Sequence, residues 1–181
     1  MPSKPAPAGS EPRHIAPPEG ATPGLGRSGA PALAAAPVTG CPLCSEVGGV
    51  LVASAARWRV IRAEDAAFPA FYRLVWREHV AEFSDLQRAE RHECIDAVNA
   101  IETVLRERLA PTKINLATFG NVVPHLHWHV IARFDWDSHF PNPVWGAAQR
   151  ELPLPAVQGL ALTLAELDAA VARALLPWVT A

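Results

Sequence analysis

His125-Leu126-His127-Trp128-His129-Val130-Ile131-Ala132-Arg133 alternates imidazoles with apolar side chains over its first six residues. An extended chain points successive side chains to opposite faces. The stretch therefore predicts a strand beginning near His125, with Leu126, Trp128, Val130, Ala132 and Phe134 on one face and three histidines on the other. Burying the Leu-Trp-Val side contributes on the order of several kcal/mol, at about 25 cal/mol per Å² before ordering entropy is subtracted. That burial presents the imidazoles on the opposite side, with same-side neighbours about 6.6 to 6.8 Å apart along the strand, so that one phosphate-sized group touches two rings. With 7 histidines in 181 residues, strict alternation of three points to chemistry. Two chemistries fit: three ligands to a catalytic metal, or one nucleophilic imidazole whose neighbours shape its protonation and its leaving group. A flat strand splays the outer pair about 13 Å apart, which strains a single-ion site built from all three.

Working outward, residues 58–62 and 70–77 are rich in aromatic and β-branched side chains and flank an acidic, Pro-containing bend, the pattern of two paired strands. Ser84 followed by Gln87 forms a capping-box pattern, and Leu86, Cys94, Val98, Ile101, Leu105 and Leu109 recur at helical spacing until Pro111. A helix over residues 85–109 follows, long enough to pack along a whole sheet, with Cys94 on its core stripe. Residues 113–118 read as a third strand, Phe119-Gly120-Asn121 as a turn, residues 135–146 as an ordered loop. Leu160, Leu164, Leu167 and Val171 mark a short C-terminal amphipathic helix. Strands, a long helix and further strands, without an internal repeat, argue for an α+β fold with a mainly antiparallel sheet.

Composition limits the function. Sixteen basic and 18 acidic residues give a net charge of −2, without the cationic excess of a protein held to nucleic acid by phosphate neutralisation. No uncharged apolar run nears the roughly 18 residues of a membrane span, since residues 160–181 contain Glu166, Asp168 and Arg173. Residues 1–40 hold nine of the 18 prolines and no aromatic residue, a Pro/Ala/Gly-rich composition expected to form a disordered tail without an export signal. Residues 41–150 form the expected catalytic domain and residues 151–181 a C-terminal extension. Three cysteines, two in Cys41-x-x-Cys44, make a poor disulfide framework and fit a reducing, cytoplasmic compartment. The pair is half of a tetrahedral thiolate site, or two reduced thiols in a loop; a thioredoxin-like role lacks its βαβ context.

The seven residues from His125 to Ile131 resemble the signature of the histidine-triad (HIT) family of nucleotide hydrolases and transferases, His-φ-His-φ-His-φ-φ with φ apolar, at every position. The resemblance covers most of residues 41–146. It is strongest to bacterial members similar to diadenosine tetraphosphate hydrolases, through Gly120-Asn121-Val122-Val123-Pro124 and Pro141-Asn142-Pro143-Val144-Trp145-Gly146. It implies a HIT-like fold and a homodimer. It also implies hydrolysis or transfer at the α-phosphate of an adenine-containing dinucleoside polyphosphate or phosphoramidate, through a nucleotidyl-histidine intermediate. His127 would be the nucleophile, His129 would contact the phosphate or leaving group, and His125 would support the His127 ring or serve a metal. Asn115 or Thr118 would take the place of an upstream asparagine, and Gly120 and Asn121 would hold nonbridging oxygens. An ordinary turn asparagine is the competing account of Asn121. Val122 stands where many members carry Ser or Thr, and the loop before the triad is short. The resemblance also implies a structural zinc on Cys41, Cys44, His79 and His125, and no organic cofactor. A slowly turning nucleotide-binding regulatory module and a zinc-dependent hydrolase are the alternative readings.

Overall fold

The structure, a computed structural model, describes residues 37–179; the expected proline-rich tail lies outside them up to residue 36. Among these residues five strands, one more than the sequence pattern predicts, form one antiparallel sheet: β1 (Val50–Ser54), β2 (Trp58–Arg62), β3 (Phe71–Trp76), β4 (Lys113–Ala117) and β5 (His127–Arg133), ordered β1-β2-β3-β5-β4. The added strand is β1, Val-Leu-Val-Ala-Ser at the sheet edge, which buries neither face fully and so lacks the alternation that would announce it. It begins beside Gly49, at φ +153°, where an added Cβ would lie 2.5 Å from the carbonyl oxygen of Arg62. Backbone approach, not side-chain pattern, specifies that start.

Two elements start later than the sequence expectation. The long helix, α2 (Arg88–Leu109), starts three residues after position 85 because Leu86 turns into the core in an extended conformation (φ −70°, ψ 147°). Ser84 lies instead in a 3-10 turn, Phe83–Asp85, closed by Glu82 and Asp85, and the capping box of α2 is Gln87 with Glu90. The helix ends on Ala110 in the left-handed region (φ 44°), ahead of Pro111. Strand β5 begins at His127, two residues later than the alternation implies, which leaves His125 outside the strand.

The sheet separates two environments. On one face Trp58, Val60, Tyr72, Leu74, Trp76, Val130 and Ala132 pack against Cys94, Val98, Ile101 and Leu105 of α2, with Leu126, Trp128 and Phe134 on the same side as expected. Cys94 is fully buried, and burial pushes its thiol up to about 12. A C-terminal helix, α3 (Leu164–Ala174), is capped by Thr163 and sends Leu167 and Val171 into this same core. Asp168 of α3 accepts from Arg62 Nε (3.0 Å) and from the Tyr72 hydroxyl (2.7 Å), tying the helix to β2 and β3. On the other face, among the described residues, two small clusters form. Ile61 and Val75 meet Cys41 and Leu43 of the short helix α1 (Pro42–Ser45), while Phe71 and Ile131 meet Phe68. Between those clusters the sheet is open.

Candidate active site and metal cluster

The open strip of sheet carries Arg73, His127 and His129. Arg73 faces His129, and Val75 faces His127, across the β3–β5 ladder, so these side chains project from one face. The two rings lean together, with centroids 4.8 Å apart in an edge-to-face arrangement. His127 Nδ1 lies 2.6 Å from the backbone oxygen of His125. A carbonyl only accepts, so Nδ1 carries the proton and Nε2 keeps its lone pair. Burial pulls His127 below its ordinary value; the carbonyl bond opposes this, and the positive charge of Arg73 adds to it. His129 falls further, to about 3, through burial first and then through His127 and Arg73. Both rings are therefore neutral at pH 7.

These residues line a cleft of about 510 Å³ together with Phe119, Gly120, Asn121, Val122, Val123 and Trp145, and with Pro42 and Leu43 on the far side. Aromatic edges frame it: Phe119 meets Trp145 at 4.7 Å, and Trp145 meets His129 at 5.2 Å between centroids. Trp145 is positioned from a distance. Arg133, at the end of β5, donates from Nε and Nη2 to Asp137 (2.7 and 3.0 Å), from Nη1 to Asn115 (2.7 Å) and from Nη2 to the Asn142 carbonyl (2.9 Å). Asp137 also accepts from the amides of Phe134, His139 and Phe140. This buried knot holds the loop that carries Trp145 against the sheet.

Beside the cleft, Cys41, Cys44, His79 and His125 bring their ligand atoms within 4.8 Å of one another, a group that could hold a metal ion. Cys41 Sγ lies 3.4 Å from His125 Nδ1, and Cys44 Sγ lies 3.3 Å from His79 Nδ1 and 3.5 Å from His125 Nδ1. His125 Nε2 donates to the Trp76 carbonyl at 2.7 Å, which leaves the Nδ1 lone pair aimed among the sulfurs, the form a ligand requires. Burial pulls His125 below its ordinary value and keeps it neutral. The donor set, with His125 in the tautomer a ligand requires, thus fits a bound metal, which would also have to draw the proton from Cys44, whose thiol burial pushes up. Because His125 precedes the strand, its ring packs edge-on against His79 (5.1 Å) rather than joining a row of three imidazoles.

The chain matches the HIT domain family over residues 45–136. It belongs to the HIT domain family. Among solved structures it is similar to a histidine triad protein of Bradyrhizobium japonicum, with 28% identity, a TM-score of 0.57, and alignment over 70% of this chain and 90% of that one. A histidine triad protein of Sinorhizobium meliloti shares 25% identity at a TM-score of 0.56, over 70% of this chain and 89% of its own. One of Marinobacter aquaeolei shares 26% at 0.53, over 74% and 90%. No curated protein aligns with the chain at the same stringency.

Within this HIT domain the residues singled out by sequence separate into three groups. His127, His129, Gly120 and Asn121 meet at the cleft. Cys41, Cys44, His79 and His125 meet in the group that could hold a metal ion, so His125 faces that group with its ring and His127 with its carbonyl. Asn115 and Thr118 do not line the cleft: Asn115 is engaged by Arg133, and Thr118 is exposed beyond the end of β4. Sequence reasoning missed Arg73, Phe119 and Trp145 as cleft residues. A signal for Arg73 existed, a lone cation at an inward position of the Phe-Tyr-Arg-Leu-Val-Trp strand, but which face was inward depended on the register with β5.

Proposed function

We propose that this HIT protein is a nucleotidyl hydrolase or transferase that acts at the α-phosphate of an adenine-containing substrate, a dinucleoside polyphosphate or a nucleoside phosphoramidate. The observation that carries the reading is the bond from His127 Nδ1 to the His125 carbonyl, because it leaves Nε2 unprotonated at the floor of a cleft. In the first step the Nε2 lone pair forms a bond to phosphorus, and the bond from phosphorus to the leaving oxygen or nitrogen breaks, its electron pair departing with the leaving group. The ring becomes cationic, and the 2.6 Å bond to the carbonyl strengthens as it does. In the second step water or another acceptor attacks phosphorus and gives up its proton to solvent, from which the leaving group takes one, while the nitrogen–phosphorus bond breaks, its electron pair returns to Nε2 and His127 is neutral again. His129, neutral and alongside, contacts the phosphate or the leaving group. The amides of the Gly120–Val123 turn and the side chain of Asn121 hold nonbridging oxygens.

The metal cluster supports a structural zinc in this reading. Tetrahedral coordination with zinc–sulfur bonds near 2.3 Å and zinc–nitrogen bonds near 2.0 Å separates sulfur from nitrogen by about 3.5 Å, and the observed separations are 3.3 to 3.5 Å. Bound there, the ion would supply cross-linking, and the chain's own His125 would still orient His127. The net charge of −2 supports a small-molecule partner over nucleic acid, and the free cysteines support a cytoplasmic location. No helix among the described residues is long and apolar enough to cross a membrane. Edge strand β4, with Leu116 exposed, supports a homodimer; light scattering would return a dimer mass, and a clean monomer would refute it.

Purified protein incubated with adenosine phosphoramidate or diadenosine tetraphosphate should release AMP. Intact mass after brief incubation should show an AMP adduct, and His127→Ala should lose on the order of 10³-fold or more in rate and all of the adduct. Equal turnover by the variant would remove this mechanism. Val122, 93% exposed and without a hydroxyl, favours a second reading, a nucleotide-binding regulatory module that turns over slowly. Tight nucleotide binding without AMP release would select it. Loss of activity on chelation with the fold intact would instead select a zinc-dependent hydrolase.

A further inference from the structure

Covalent chemistry at His127 leaves Arg73 unexplained. Three arginines of the described strands stand on the same face of this sheet, and Arg73 is treated differently from the other two: Arg59 donates to the carbonyls of Leu43, Glu46 and Val47. Arg133 has its donors answered by Asp137, Asn115 and the Asn142 carbonyl. Arg73 Nε is buried without a hydrogen-bond partner, and among the described residues no carboxylate lies within ion-pair distance of it. Its Cζ stands 5.0 Å from the centre of the Phe71 ring, a contact that steers the guanidinium and accepts none of its N–H groups. Asp65 acts on it only at longer range. A guanidinium offers five donors and stays charged, so desolvating one without an acceptor is costly unless the acceptor arrives with a ligand.

Among the described residues that line the cleft, Arg73 is also the one with a formal charge. The other walls are apolar side chains, glycine backbone, the Asn121 amide and the imidazoles of His127 and His129. Val122, on the opposite turn, offers no side-chain donor. We infer that Arg73 is the phosphate-binding residue of the cleft, its guanidinium donating to nonbridging oxygens of the phosphate seated beside His127 and His129. The inference rests on the nucleotide reading of the cleft and deepens it: the site selects ligands by a phosphate anion, and the nucleoside alone is a poor ligand. The planar fork suits the task, since two parallel N–H groups match two phosphate oxygens as an ammonium cannot.

The test is binding, not turnover. Calorimetry should show AMP bound about tenfold or more tightly than adenosine by the wild type. Arg73→Leu should erase that preference while leaving adenosine affinity unchanged, and Arg73→Lys should restore part of it. A wild type without the preference, or an Arg73→Leu protein that keeps it, would overturn the inference. Should the leucine variant fail to fold, the wild type still decides: the Arg73 Nε–H resonance should shift on titration with AMP and stay in place with adenosine, and an unmoved resonance would count against the assignment. The catalytic reading fails separately. If AMP is preferred through Arg73 but no substrate releases AMP, the covalent mechanism falls and the phosphate site stands.

Discussion

His127 and His129 are separated by one residue and are both kept uncharged, but only His127 has a hydrogen-bond partner for Nδ1. Nδ1 of His129 is buried with none, and burial first, then His127 and Arg73, bring the ring down to about 3 from an ordinary value of 6.5. The sign of the linkage follows. Between those two values the unfolded chain binds a proton that the folded ring refuses, so the stability tied to His129 is whole above pH 6.5 and is lost as pH falls toward 3. At pH 5 the loss is roughly 2 kcal/mol. His129→Gln, which cannot titrate, should flatten the difference in urea unfolding between pH 7 and pH 5. An unchanged difference would place the acid sensitivity elsewhere.

At the scale of elements, the loop after β5 is organised by a single carboxylate. Burial alone would raise Asp137, yet Arg133 and three backbone amides outweigh it and hold the group below the usual carboxylate range. Its contribution is present above pH 3.8 and disappears as pH falls through the lowered value. Removing the charge strands a buried guanidinium, so Asp137→Asn should cost about 3–5 kcal/mol in urea unfolding. It should also weaken nucleotide binding, because Trp145 is carried by the loop that this carboxylate anchors. A variant as stable as the parent would show that the amides, rather than the ion pair, hold the loop. At the other edge, Gly49→Ala should cost about 1–3 kcal/mol, since its Cβ would meet the Arg62 carbonyl.

Across the whole molecule, the Cys41–Cys44 turn, His79 after β3 and His125 before β5 are drawn from three places in the chain to one point. Zinc content should be one ion per chain, falling with Cys44→Ser and unchanged with Cys94→Ala, whose thiol is buried in the core on the opposite side of the sheet. A strong chelator should lower the melting temperature by about 5 °C or more. Its second effect should be local, a loosening of the His125 carbonyl against His127, visible as a change in the Nδ1–H resonance. Melting that ignores the chelator would mean the donors close on one another without an ion.

Much of this architecture was legible in one dimension because period is a local property. Alternation oriented β5, helical spacing located α2 and its Cys94 stripe, and the spacing of Cys41 and Cys44 marked half of the group that could hold a metal ion. The start of α2 and the existence of β1 were less legible, since Leu86 is buried without being helical and β1 buries neither side. Only the tertiary structure decided that His125 leaves the row of imidazoles for the thiols, that Asn115 belongs to Arg133, and that Arg73 stands opposite His129. Each of those depends on which residue faces which across a ladder or a loop closure. Such pairing energies are summed over the whole sheet and leave no mark in the spacing of neighbours along the chain.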